Sequence, residues 1–249
     1  MARPVDSREV QAVDVRGLPV GCVTTADWVD ALADRIGAGP RAHHHLSLNA
    51  AKWVAARSDP DLRRVIRQAD SIAADGVSIV WLARWLGTPL PKRAPGIEVA
   101  EGLLRRARTE RWRVALLGAD RDVVAQVARD LEGVDVVLAA DGYSGDESVW
   151  ADAIAEVYPD VLLVALGTPR AERFVHAHAH RWPGAVALGV GGAFDVWAGR
   201  VPRAPAWSRR MGLEWAARLA REPRRRLRRA LGDSARFVVA AALGQRVPS

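Results

Sequence analysis

The sequence predicts an α/β fold: a mainly parallel sheet flanked by helices, Rossmann-like, with a C-terminal helical, Arg-rich appendage. Three observations predict it. Short β-rich runs alternate with helical stretches, the pattern of strands joined by crossover helices. The strands from Val114 onward are continuous apolar runs, as expected when helices cover both faces of a sheet. Strand ends run into glycine-bearing turns, which let backbone approach a ligand and point helix N-termini at anions. A chain of 249 residues makes one large α/β domain or two small ones.

In chain order, the first strand is His44–Leu48 and ends at Ser47-Leu48-Asn49. Helix Pro60–Ala69 opens with Asp59 as its cap and Pro60 at the first helical position. A short strand, Ser71–Ala74, enters Asp75-Gly76 and then helix Ile79–Leu86. Helix Val99–Arg111 follows. Strand Val114–Gly118 turns at Gly118-Ala119-Asp120 into helix Asp122–Leu131. Strands Val134–Ala140 and Val161–Gly167 bracket helix Ser148–Val157. Helix Ala171–Arg181 precedes strand Ala185–Val190, which ends in Gly191-Gly192-Ala193-Phe194-Asp195. A Pro-marked stretch, Val201–Pro205, divides a body (1–200) from a basic appendage (201–249). The appendage reads as helices at about Trp207–Ala220 and Arg224–Leu243, punctuated by Pro223 and Gly232. Since the sheet pattern ends before Val201, the body is expected to fold without it. Trp81, Trp85, Trp112, Trp150 and Trp182 fit helix-to-sheet packing, and Trp207 and Trp215 fit a lipid interface.

Composition narrows the function. No apolar run reaches the roughly 18 residues of a spanning helix. The first residues are charged and lack an apolar core, so no secretory signal is visible. Cys22 is the single cysteine, which excludes an internal disulfide and reads as cytosolic, with Cys22 a small buried residue rather than a nucleophile. Of the net charge of +7, the stretch 201–249 supplies twelve arginines against three acids, leaving the body slightly negative. Such an appendage calls for an anionic partner: nucleic acid, an acidic membrane or a phosphorylated ligand.

The residues at the strand ends carry the chemistry. Asp75, after an apolar strand and before Gly76, stands where a general base would stand, or caps the helix that follows. Asp195 is a site residue or a helix cap. Two D-x-D triplets, Asp59-Pro60-Asp61 and Asp120-Arg121-Asp122, each open a helix, so neither reads as a metal site. His176, His178 and His180 lack an acidic ligand at matching spacing, and His43-His44-His45 enters a strand as core or exposed side chains.

Taken in order, several motifs resemble the WecG/TagA/CpsF family of bacterial glycosyltransferases. They are Ser47-Leu48-Asn49, Ala74-Asp75-Gly76, Arg93-Ala94-Pro95-Gly96, Leu166-Gly167-Thr168-Pro169-Arg170-Ala171-Glu172, Gly189–Gly199, Gly212-Leu213-Glu214-Trp215 and Glu222-Pro223-Arg224-Arg225. The resemblance covers about His44 to Leu231. It implies inverting transfer of N-acetylmannosamine or another hexose from a UDP-sugar to a polyprenyl-diphosphate-linked saccharide, in teichoic acid or exopolysaccharide synthesis. It places the catalytic base at Asp75, with Ser47 and Asn49 holding sugar. Donor contacts fall to Gly76, Arg93, Gly118, Gly167, Thr168, Pro169, Glu172, Gly191, Gly192 and Asp195. Arg218, Arg225 and Arg228 meet the leaving diphosphate in place of a metal, so no cofactor is expected. The enzyme is expected in the cytoplasm, attached peripherally to the inner face of the membrane by its appendage, with Phe237, Val238 and Leu243 adding shallow insertion if they share one helix face. Ala171 departs from the family, which carries Gln there.

Two other classes compete. A basic nucleic-acid-binding protein would explain the appendage but not the glycine-ended strands, and no RNA-binding or helix-turn-helix motif is present, so no nucleic-acid partner is expected. A dinucleotide-dependent oxidoreductase fits Val114–Leu131, but no G-x-G-x-x-G follows a strand. The sequence is compatible with a homo-oligomer as well as a monomer.

Overall fold

A computed structural model describes residues 10–203 and 236–248. Within them lies a six-stranded sheet in which every pairing is parallel. An antiparallel hairpin, β1 (Ala12–Asp14) with β2 (Pro19–Gly21), comes first, then helix α1 (Thr25–Ala33). The sheet strands are β3 (His43–Leu48), β4 (Ser71–Ala74), β5 (Arg113–Gly118), β6 (Asp135–Ala140), β7 (Val161–Ala165) and β8 (Val186–Gly189). Their order across the sheet is β4-β3-β8-β7-β5-β6. All six predicted strands are present, with ends within one or two residues; Leu166 and Gly167 belong to the loop after β7 rather than to the strand.

The helices are α2 (Ala50–Ser58), α3 (Pro60–Arg67), α4 (Val77–Trp85), α5 (Gly96–Glu110), α6 (Arg121–Asp130), α7 (Glu147–Glu156), α8 (Arg170–His178) and α9 (Ala193–Trp197), with a 3-10 turn at Ala179–Arg181. Strand alternation sorts them into layers. Val114, Leu116, Val161, Leu163, Val186 and Leu188 face α1, α5, α6 and α9. Ala115, Leu117, Leu162, Val164 and Ala187 face α7 and α8. Leu46 and Leu48 of β3 and Ile72 and Ala74 of β4 join the hairpin, α2, α3 and α4 in a third cluster.

That third cluster takes in residues from the far end of the chain. A helix over 236–242 inserts Phe237, Ala240 and Ala241, and Val247 follows. Phe237 meets Trp53 edge-on at 5.2 Å between ring centroids. Val247 N donates to Arg16 O, and Arg246 pairs with Asp14 at 3.1 Å. These contacts make 236–247 contribute to the core of the body, and they correct the role of Phe237 in lipid insertion, since it is 5% exposed. The predicted helix at about Trp207–Ala220, most of that at Arg224–Leu243, and Trp207 and Trp215 lie outside the described residues.

The tryptophans divide differently from expectation. Trp112, Trp150 and Trp182 are buried as predicted, but Trp81 and Trp85 are exposed. Both lie on the outer side of α4, whose inner side supplies Ile79, Leu82 and Ala83 to the core. Cys22 is part-buried, its thiol donating to Pro89 O.

Candidate active site at the carboxyl edge of the sheet

Because all six strands are parallel, their C-terminal ends share one edge, where ligands of open α/β sheets bind. The neighbours β4, β3 and β8 bring Asp75, Ser47, Asn49, Gly191 and Gly192 to adjoining positions on that edge. Gly167 lies one strand further, after β7, and Gly118 lies at the end of β5. With strands about 4.8 Å apart, the ends of β4 and β5 are roughly 19 Å apart. Asp75 and Gly118 therefore cannot touch the same small group, but an extended ligand along the edge reaches both.

The backbone fixes Asp75. Its N–H donates to Leu48 O at 2.8 Å, and the chain returns from α4 so that Ala94 N donates to Ala74 O at 2.7 Å. The N-cap of α4 is Gly76, so the capping alternative for Asp75 is set aside. Gly76 stands against Asn49: a Cβ there would lie 3.6 Å from Asn49 Cβ. Asn49 is itself the N-cap of α2, its side chain accepting from Lys52 N. Asp195 sits in the first turn of the short α9, whose N-cap is Gly192, so it is not a cap residue either.

Ser47 is 4% exposed, and its Oγ has no hydrogen-bond partner among the described residues. It faces the start of α5 at Gly96, where a Cβ would stand 2.5 Å from that oxygen. Glycine at 96 is thus required for α5 to begin beside the site. Arg93, part-buried just before, lies 3.9 Å from Glu98.

Beneath the loops runs a buried ion pair that sequence reading missed. Lys52 Nζ donates to Ser47 O at 2.9 Å and meets Glu172 Oε1 at 2.7 Å, with both side chains nearly inaccessible. Thr168 Oγ1 donates to the same carboxylate oxygen at 3.2 Å. Glu172 is therefore a buried anchor for the 167–169 loop. The signal was present: an isolated Lys three residues after Asn49, one of two lysines against thirty-four arginines. Ala171 is buried, its Cβ 3.5 Å from where a Cβ at Gly189 would stand.

The glycine loops differ in their reason for glycine. At Gly118, φ is +120°, and a Cβ would lie 2.5 Å from the Ala165 carbonyl carbon, so both strain and close approach demand it. Gly167 and Gly191 have φ of +74° and +53° with open space above them. The Thr168–Pro169 peptide bond is cis.

Of the D-x-D triplets, Asp59 caps α3, accepts from Leu62 N and pairs with Arg173 at 2.7 Å. The Leu62 amide first, then Arg173, hold its carboxyl below the usual range, overcoming desolvation. Asp120 opens α6 on the surface. Among the described residues no group of three or more His, Cys, Asp or Glu is placed to hold a metal ion. Arg218, Arg225 and Arg228 lie outside the described residues.

Fold and edge define a doubly wound α/β protein whose candidate site residues gather at the carboxyl ends of its parallel strands. The chain matches the Glycosyl transferase WecG/TagA/CpsF family over residues 13–249 and belongs to that family of glycosyltransferases. It is 40% identical over 174 residues to an N-acetylglucosaminyldiphosphoundecaprenol N-acetyl-beta-D-mannosaminyltransferase of Bacillus spizizenii, a match covering 68% of each chain. A protein of the same name from Bacillus subtilis is 37% identical over 173 residues, again 68% of each chain.

Proposed function

We propose that this enzyme transfers an N-acetylmannosamine-type sugar from a UDP-sugar, with inversion, to N-acetylglucosamine borne on a polyprenyl diphosphate at the inner leaflet of the membrane. The carrying observation is the adjacency of Asp75, Asn49 and Ser47 at the ends of β4 and β3, in a chain similar to named N-acetylmannosaminyltransferases. In this reading the donor lies along the carboxyl edge. Its nucleoside rests toward Gly118 and Gly167, its diphosphate over Gly191 and Gly192, and its sugar against Asn49 and Gly76. Asp75 takes the proton of the acceptor hydroxyl as that oxygen attacks the anomeric carbon from the face opposite the departing UDP. Arg218, Arg225 and Arg228 neutralise the charge developing on the leaving diphosphate, the part a metal plays elsewhere. No helix among the described residues is long and apolar enough to cross a membrane, so attachment in this reading is peripheral.

The test is transfer by purified protein from UDP-N-acetylmannosamine to a short-chain polyprenyl diphosphate carrying N-acetylglucosamine. Asp75→Asn is expected to bind UDP normally and to lose about 10²–10⁴-fold in turnover, the usual contribution of a general base. Near-normal turnover removes Asp75 from that role. Transfer is expected to survive EDTA; loss restored by Mg²⁺ or Mn²⁺ overturns the arginine reading.

A further inference from the structure

The outer faces of α4 and of the helix over 236–242 both carry exposed apolar side chains, and Arg16 lies between the two elements. On α4, Trp81 and Trp85 stand one turn apart, 63% and 61% exposed. On the C-terminal helix, Val238 and Val239 are 62% and 56% exposed, and Leu243 just beyond is 67% exposed. Both elements pack their inner faces into the same core cluster. Arg16 joins their outer faces: its guanidinium lies 5.7 Å from the Trp85 ring centroid and donates to Gly244 O at 3.2 Å. Arg16 thus brings Trp85 and Gly244, at the end of the C-terminal helix, to one patch of surface.

We infer that this patch is the membrane-contacting face of the enzyme, with Trp81 and Trp85 seated at the headgroup–acyl boundary of an anionic bilayer. Tryptophan beside arginine is the composition of an interfacial belt, where an apolar ring with a polar edge sits between hydrocarbon and water. The charge is complementary: the chain segment entering the C-terminal helix, 204–235, contains nine arginines and three acidic residues. The patch is also beside the chemistry. Helix α4 starts two residues after Asp75, so Trp81 is only about 6 Å along the helix axis from its first residue at 1.5 Å per residue. An acceptor whose sugar sits at Asp75 and whose lipid stays in the leaflet needs a bilayer close to that end of α4. The inference rests on the lipid-linked acceptor proposed above, while vesicle binding itself requires no sugar.

The experiment compares partitioning of the full chain onto phosphatidylglycerol-containing vesicles and onto phosphatidylcholine vesicles, with quenching by brominated acyl chains as the depth readout. Trp81→Ala/Trp85→Ala is expected to reduce partitioning onto the anionic vesicles by about tenfold or more and to abolish most of the quenching. Val239→Asp, on the other limb, is expected to act in the same direction. These side chains are exposed, so thermal melts of both variants should match the parent. Transfer to a water-soluble short-chain acceptor should be retained, while transfer to an acceptor embedded in vesicles falls. Unchanged partitioning and quenching in the double variant overturns the inference. So does a change in solution mass with vesicle binding intact, which assigns the patch to a second copy of the chain. Failure of the glycosyltransfer reading appears separately, as no transfer to either acceptor by the parent.

Discussion

Lys52 and Glu172 meet at 2.7 Å between α2 and α8, both buried. Removing one partner of such a pair leaves a buried charge without its counterion, which typically costs about 3–5 kcal/mol. Lys52→Met is therefore expected to lower the urea midpoint sharply, and Lys52→Met/Glu172→Gln to recover part of the loss. The same change loosens Thr168, so affinity for UDP should fall with stability. Equal stability of Lys52→Met and the parent refutes the anchoring role. The rarity of lysine marked Lys52 but not its partner, which is 120 positions away in the sequence and meets it only when β3 and β8 pair. Asp75 was legible for the opposite reason: strand, Asp and Gly are consecutive. Its rejection as a cap was not legible, since the choice between Asp75 and Gly76 as N-cap is settled by backbone geometry.

Strand β3 brings three consecutive histidines into the sheet, and their setting is chemically uniform. His43 Nε2 and His45 Nδ1 both bond the Ser71 hydroxyl, at 2.9 and 2.8 Å, and His45 stacks edge-on with Trp28. Desolvation pushes His43 and His44 down to about 4 and His45 to about 3, partly offset for His43 by Asp70 and for His44 by Glu172 and Asp70. These groups are neutral in the fold but bind protons in the unfolded chain below the ordinary value of 6.5. Their contribution to stability is complete above that value and is lost as pH falls from 6.5 toward 4. The depressed carboxyls act lower; Asp141, held to about 2 chiefly by Ser144, acts only in stronger acid. The urea midpoint is expected to decline between pH 6.5 and 4, and His43→Gln to flatten that slope; a midpoint constant over this range contradicts the assignment. At this scale the sheet strands were readable, and the very shortest elements were not. Strands β1 and β2 have three residues each and α9 has five, too few for a period to show. Helix α2 mixes alanines with charged residues and has only a weak apolar stripe. Helix α1 did carry a signal, the Thr24/Asp27 capping box. Trp81 and Trp85 misled because helical spacing gives the face of a helix but not which side meets the core.

At the scale of the whole molecule, the parallel architecture followed from the alternation of elements, but the path of the chain end did not. Charge and proline made 201–249 look like one separate unit. The structure ties both flanks of its arginine-rich stretch to the body. On one side Arg203 is bonded to Glu101 at 2.8 and 3.1 Å, and on the other Phe237, Ala240, Ala241 and Val247 fill the core beside Trp53. Apolar burial of that kind leaves no mark on a charge profile. Two deletions then separate the roles of the tail. Ending the chain at Val201 exposes the surface that Phe237 covers; loss of a buried Phe alone costs about 3–5 kcal/mol, and at this size each kcal/mol shifts the melting temperature by about 2–4 °C. That truncation is expected to melt at least about 6 °C below the parent. Replacing 204–235 with a Gly/Ser linker of equal length keeps Phe237 in place and is expected to melt within a degree or two of the parent. Both proteins should lose nearly all transfer, because both lack Arg218, Arg225 and Arg228. The linker protein should keep part of its vesicle binding through Trp81, Trp85, Val238 and Val239, at reduced affinity, because each arginine near an anionic leaflet contributes about 1 kcal/mol. A Val201 truncation as stable as the parent would show that the C-terminal helix adds nothing to the core, and full transfer by the linker protein would remove the arginines from the reaction.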